Sequence, residues 1–247
     1  MTGMLASVTS VEEAQLVLKE GVDIIDLKNP EQGALGALET HVVSSIVESI
    51  SGTILTSATV GDIEPNNPSL YERIVSMANT GVDYVKVGLF DDHANACFIE
   101  VLNQAANQNI KIIVVLFAEN YTGLASLEDL MKSDISGVML DTKNKTDKNL
   151  LSLLNCQELD EFVRLAKSHG LVTGLAGSLR YVDIASLLDI KPDYLGFRGA
   201  LCSENNRVKS IETKNITKIR KAITQQKSIN YADVEYRDEV LSNGTMA

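Results

Sequence analysis

Tryptophan is absent, and only seven tyrosines and five phenylalanines supply aromatic surface. A core built without large rings has to be filled by branched aliphatics, which suit parallel strands buried on both faces. Cysteine is scarce: Cys97, Cys156 and Cys202 stand apart, with no Cys-x-x-Cys pair and no Cys/His ligand spacing. That pattern excludes a disulfide scaffold and reads as reduced, mostly buried thiols of a cytoplasmic protein. The three histidines, His41, His93 and His169, fall on or at the ends of expected helices, where structural or surface roles suffice, and no metal is expected. Lysine and arginine number 22 against 33 acidic residues, a net charge of −11. Nucleic acid and anionic membrane surfaces are therefore not expected as partners, although a local basic pocket for a small phosphate is compatible with the balance. No apolar stretch approaches the roughly 18–20 residues of a membrane helix. The first ten residues lack the basic segment and apolar core of a signal peptide.

What the chain does have is alternation. Short apolar runs are expected as strands at 4–8, 22–28, 53–60, 82–89, 110–118, 136–141, 171–176 and 194–198, each followed by an amphipathic stretch. The helices are expected at 11–20, 39–50, 69–80, 92–107, 126–132, 156–169, 181–188 and 213–225, with Ser10 as an N-cap and Glu13 three residues on. Continuous alternation argues for parallel strands with right-handed crossovers. Eight such pairs in 247 residues predict an α/β fold, a closed (β/α)8 barrel. Gly21, Gly81 and Gly170 each separate a helix from the next strand and are expected as C-caps on the bottom of that barrel. Residues 1–227 are expected to form this single domain, and 228–247 a polar C-terminal tail.

Barrels of this kind carry their chemistry at the C-terminal ends of the strands. Lys28 closes the run Val22-Asp23-Ile24-Ile25-Asp26-Leu27-Lys28, and the period of two puts Asp26 on the same face. Lys86 sits in a second such run, Val82-Asp83-Tyr84-Val85-Lys86-Val87-Gly88. Lysine is rarely buried without a partner or a task. An amine removed from water loses its proton more readily, and a neutral amine attacks carbonyls, so the pair points to covalent chemistry. The bland alternative is an ion pair with Asp26. Other strand ends offer Ser57, Thr59 and Asp62, then Glu119, then Asp141 with Lys145 in the loop beyond. Asp141 alone reads equally as a cap or turn residue, and Lys145 alone as a solvated lysine. The turns Gly177-Ser178 and Gly199-Ala200 follow the last two strands, where such barrels commonly bind phosphate through backbone N–H groups. Arg198 is placed to add a bidentate contact.

These stretches together resemble the (5-formylfuran-3-yl)methyl phosphate synthases, also called 4-(hydroxymethyl)-2-furancarboxaldehyde phosphate synthases. The resemblance runs from about residue 4 to about residue 220. It is carried by Lys28-Asn29-Pro30, Ser57-Ala58-Thr59-Val60-Gly61-Asp62, Asp83-Tyr84-Val85-Lys86-Val87-Gly88-Leu89, Met139-Leu140-Asp141-Thr142 with Lys145, Leu175-Ala176-Gly177-Ser178 and Gly196-Phe197-Arg198-Gly199-Ala200. It implies an enzyme of methanofuran biosynthesis that condenses two molecules of glyceraldehyde 3-phosphate to a furan aldehyde phosphate, releasing phosphate and water without a cofactor. It further implies Lys28 as the Schiff-base lysine, Lys86 as a proton-transferring lysine, and Asp26, Asp141 and Lys145 as the remaining active-site residues. One departure stands out. The resemblance leads one to expect Tyr-Ala-Asp after the fifth strand, and Phe117-Ala118-Glu119 is present. Without the resemblance, the pattern also fits a class I aldolase, a phosphosugar decarboxylase or epimerase, or a non-catalytic phosphate-binding barrel. Self-association into a symmetric homo-oligomer is the default for such a domain.

Overall fold

Eight parallel strands pair strictly in chain order and close on themselves, the first with the eighth. The computed structural model describes residues 1–50, 52–144 and 148–225. The strands are β1 Gly3–Val8, β2 Ile24–Leu27, β3 Leu55–Thr59, β4 Tyr84–Leu89, β5 Ile112–Phe117, β6 Gly137–Asp141, β7 Val172–Leu175 and β8 Tyr194–Phe197. Around them lie α1 Val11–Lys19, α2 Thr40–Ile50, α3 Leu70–Ala78, α4 Ala96–Ala106, α5 Leu124–Leu130, the single turn α6 Leu150–Leu153, α7 Cys156–Ser168 and α8 Ile184–Ile190, with α9 at 213–225. The expected (β/α)8 barrel is thus the fold. Most expected strands ran one to three residues too long, because the apolar runs continue past the last ladder pair. The short α6 lies between the sixth expected strand and the sixth expected helix, where no element is expected. The expected tail lies outside the described residues.

Alternation along each strand divides the core in two. Met4, Ala6 and Val8 of β1, Ile25 and Leu27 of β2, and Val85 and Val87 of β4 face outward and are buried beneath the helices. Leu5, Ile113, Val115, Phe117, Met139 and Tyr194 fill the barrel itself. The interior is narrow, and a small residue opposite a large one makes the room. Gly174 accommodates the Tyr194 ring, whose Cε2 would lie 2.4 Å from a Cβ at that position. Apolar packing on both faces of the sheet supplies most of the folding drive.

The barrel bottom is pinned by a recurring hook. Asp23 accepts from the Met4 N–H at 2.6 Å, Asp83 from the Thr56 N–H at 2.7 Å, and Asp193 from the Thr173 N–H at 2.8 Å. Each aspartate precedes a strand and grips its neighbour, which fixes the register between strands. Gly21, Gly81 and Gly170 adopt positive φ where helix gives way to strand, as their spacing predicted. At α1 the expected capping box is only half made. Ser10 Oγ accepts from the Glu13 N–H at 3.3 Å, but the Glu13 carboxylate turns to Thr9 and to Arg198. Against the expectation of mostly buried thiols, only Cys202 is buried; Cys97 and Cys156 are exposed, because each lies in the first turn of a helix on its solvent side.

Candidate active site

Four charged side chains meet inside the C-terminal mouth of the barrel. Lys28 directly follows β2, and its N–H still bonds Val8 O at 3.2 Å, so the ladder carries its side chain inward. Its Nζ lies 3.5 Å from Oδ2 of Asp141, the last residue of β6. Asp141 Oδ1 accepts from the Thr142 N–H at 2.7 Å. Lys86 is the third residue of β4, deeper than a strand end, and its Nζ donates to Asp26 Oδ1 at 3.1 Å. Lys86 is 2% exposed and Lys28 8%, so neither amine is a surface charge. Two lysine–aspartate pairs therefore share one low-dielectric space.

Asp26 is the most constrained member. Its Oδ1 also accepts from Ser57 Oγ at 2.7 Å, and its Oδ2 from Ser7 Oγ at 2.8 Å. Burial alone would push its carboxyl up. The charges of Lys86 and Lys28 and the hydroxyls of Ser57 and Ser7 together outweigh burial and hold it below the ordinary carboxylate range. Asp26 is thus a fixed anion that orients Lys86.

These residues open into a cavity of about 380 Å³, large enough for small metabolites. Five cations (Lys28, Lys86, Arg180, Arg198 and Arg207) and three carboxylates (Asp26, Asp141 and Glu204) line it. In a chain of net charge −11, this local excess of cations favours an anionic ligand. The turns after β7 and β8 form one wall. Gly177 has φ +110° and Ser178 φ +51°, and a Cβ on Gly177 would lie 2.7 Å from Thr142 Cγ2. Among the described residues, the N–H groups of Gly177, Ser178, Gly199 and Ala200 bond no acceptor. Unpaired N–H groups on one cavity wall make a candidate anion cradle.

Other sequence candidates have different work. Ser57 binds Asp26, while Thr59 Oγ1 donates to Gly36 O at 2.9 Å. Asp62 holds the loop after β2 through the Ala34 and Leu35 N–H groups, at 2.9 and 2.6 Å. Glu119 grips the loop after β6, accepting from the Lys143 and Asn144 N–H groups at 2.8 Å each. Lys145 itself lies outside the described residues. Phe117, the other half of the departure noted above, packs inside the barrel with its ring centroid 4.9 Å from that of Phe90. None of the three histidines lines the cavity.

Arg198 lines the cavity, yet its donors are committed elsewhere. Nε donates to Arg207 O at 2.8 Å, Nη1 to Ser7 O at 3.2 Å and Glu13 Oε2 at 2.5 Å, and Nη2 to Glu13 Oε1 at 3.2 Å and Lys209 O at 3.3 Å. All five N–H groups of a guanidinium are then matched by acceptors. Arg180 and Arg207 were not singled out from sequence, because both lie in polar loops with no periodic signal.

Fold and site define a (β/α)8-barrel enzyme whose mouth holds two buried lysine–aspartate pairs beside a candidate anion cradle. Comparison narrows the class: the family model for 4-HFC-P synthase matches residues 4–220, and the chain belongs to that family. It is 34% identical over 217 residues to the (5-formylfuran-3-yl)methyl phosphate synthase of Methanosarcina acetivorans, covering 83% of this chain and 92% of the relative. It is 38% identical over 222 residues to a Methylorubrum extorquens protein provisionally given the same name, covering 89% and 91%. Among solved structures, phosphoribosyl anthranilate isomerase from Thermus thermophilus superposes with a TM-score of 0.64 at 11% identity, covering 92% of this chain and 100% of that one. A 3-hexulose-6-phosphate synthase superposes with a TM-score of 0.64 at 16% identity, covering 89% and 99%. At such identities these two speak for the fold alone.

Proposed function

We propose that this enzyme condenses two molecules of glyceraldehyde 3-phosphate into (5-formylfuran-3-yl)methyl phosphate through an imine on Lys28, as a step toward a methanofuran-type cofactor. The observation that carries the reading is the pair of buried lysine–aspartate contacts in one cavity beside unpaired backbone donors. The Lys28 amine passes its proton to Asp141 and adds to the carbonyl of one triose; water leaves, forming an iminium that draws electrons from the adjacent C–H bond. Loss of that proton gives an enaminol, which expels the phosphate from the next carbon and leaves a three-carbon enol still bound to Lys28. Proton transfer shifts the second triose to its ketone isomer, and the terminal carbon of the enol adds to that ketone. The primary hydroxyl of the second triose closes the ring, two dehydrations give the aromatic furan, and hydrolysis of the imine frees the aldehyde, with inorganic phosphate and two molecules of water as net by-products.

Each group has a part. Lys86, oriented by Asp26, moves the proton. Asp141 lies against the Lys28 amine, where it can steer the amine and relay a proton as the imine forms and breaks. Lys145 acts from the loop that Glu119 anchors. The N–H groups at Gly177-Ser178 and Gly199-Ala200 receive one phosphate, with Arg198 holding the neighbouring segment through the Arg207 and Lys209 carbonyls. The enzyme is further proposed to work as a cytoplasmic homo-oligomer. Symmetric self-association is the common state of such domains, and Cys97 and Cys156 are free exposed thiols, the form a reducing compartment maintains.

Incubation with glyceraldehyde 3-phosphate tests the reading, with phosphate release and furan absorbance followed together. Both should rise in equal amounts. Phosphate without furan would point to simple elimination, and neither product would reject the reaction.

A further inference from the structure

The segment after β8 builds an arm over the cavity. Cys202 bridges Ile211 in antiparallel fashion, the Ser203 N–H bonds Ser210 O at 3.1 Å, and the Glu212 N–H bonds Leu201 O at 2.9 Å. Between these ties the chain turns through left-handed Glu204 and Asn205, with φ of 54° at each. Arg198 lies under the arm and bonds the carbonyls of Arg207 and Lys209, while Glu13 and Ser7 anchor it to the first strand and helix. The backbone of Arg207 is thereby fixed to the barrel rim.

From there the Arg207 side chain reaches across the mouth to the loop after β2. Its Nη2 donates to Pro30 O and, at 2.8 Å, to Gly33 O. Its Nε and Nη1 meet no acceptor among the described residues, and the side chain lines the cavity. The guanidinium is half-buried. Burial lowers its pKa, against Asp141 and Asp62, which favour its charge. A guanidinium keeps its charge in proteins, so a half-buried edge with free donors is an incomplete site for an anion.

Two phosphorylated trioses bring two phosphates, and the cradle after β7 and β8 takes one. Lys28 and Lys86 lie on the buried floor, so the triose that reacts with them enters first. The second meets the protein at the mouth, where Arg207 stands. We propose that Arg207 is the second phosphate subsite, its free Nε and Nη1 edge receiving the phosphate of the acceptor triose. This rests on the condensation reading above, and assigns Arg198 to positioning the arm that presents Arg207.

Arg207→Met keeps side-chain bulk and removes the donors. Loss of a charge-assisted pair of hydrogen bonds predicts a rise in the KM for glyceraldehyde 3-phosphate of about ten- to a hundred-fold in furan formation. Arg207→Lys should recover part of it, and the melting temperatures should stay close. Borohydride trapping of the first triose on the protein should remain at the wild-type level in Arg207→Met, because the cradle and Lys28 are untouched. An unchanged KM would overturn the proposal, as would a loss of trapping that parallels the loss of furan formation. Absence of trapping in the wild-type enzyme would reject the imine, while the KM comparison would still decide the role of Arg207.

Discussion

Asp26→Asn removes one charge from the centre of the barrel and leaves its shape. The carboxylate is 1% exposed, and it is the anion within 3.1 Å of the Lys86 amine, itself 2% exposed. Breaking a buried pair by removing one partner typically costs about 3–5 kcal/mol, because the other charge is left desolvated. In a chain of this size each kcal/mol moves Tm by about 2–4 °C, so a fall of about 6–20 °C is expected at neutral pH. The pH dependence follows from the direction of the Asp26 shift. Its carboxyl lies below the ordinary range in the folded chain and returns to about 3.9 on unfolding. The stabilisation is therefore complete above the unfolded value and disappears as pH falls through the folded one. Asparagine does not titrate, so the gap between wild type and variant should be widest at pH 7 and narrow below about pH 4. Thermal unfolding of both proteins across that range measures it. Equal melting temperatures at pH 7, or a gap that persists undiminished into acid, would refute the role given to Asp26.

Other consequences are read by steady-state kinetics. A Cβ on Gly199 would lie 3.1 Å from Asn205 O, so Gly199→Val should displace the cradle and raise the KM for the triose strongly; an unchanged KM would put the phosphate elsewhere. Lys86→Arg should lower kcat by about 10²–10⁴-fold, the usual contribution of a positioned acid–base group, with little change in borohydride trapping. Glu119→Ala frees the loop that leads to Lys145 and should lower kcat by up to about 10²-fold, since small misplacements of reacting groups are expensive. Wild-type turnover in that variant would show that the loop holds itself.

The barrel was legible because strict alternation leaves few other ways to bury eight apolar strands. Lys28 and Lys86 stood out for a similar reason, as charges embedded in runs that must be buried. Asp26 followed from strand parity. What the sequence could not show was pairing between distant residues. Arg198 occupies the place expected of a phosphate ligand, but its partners Glu13 and Ser7 come from the opposite end of the chain, and only closure of β1 on β8 brings them together. Asp62 and Glu119 likewise appeared as free carboxylates until the loops they hold were placed. Arg207 left no signal at all: it lies in a polar segment without periodicity, and its importance depends on an arm shaped by two left-handed residues that are not glycine.

The central claim is that Lys28 forms the imine. Borohydride added to enzyme turning over glyceraldehyde 3-phosphate should reduce that imine and leave one triose-derived adduct, which peptide mass spectrometry should locate on Lys28. Lys28→Arg retains a charge in the folded barrel but cannot form the adduct, so it should show neither adduct nor furan. An adduct on Lys86 or Lys145, or a Lys28→Arg enzyme that still makes the furan, would contradict the account.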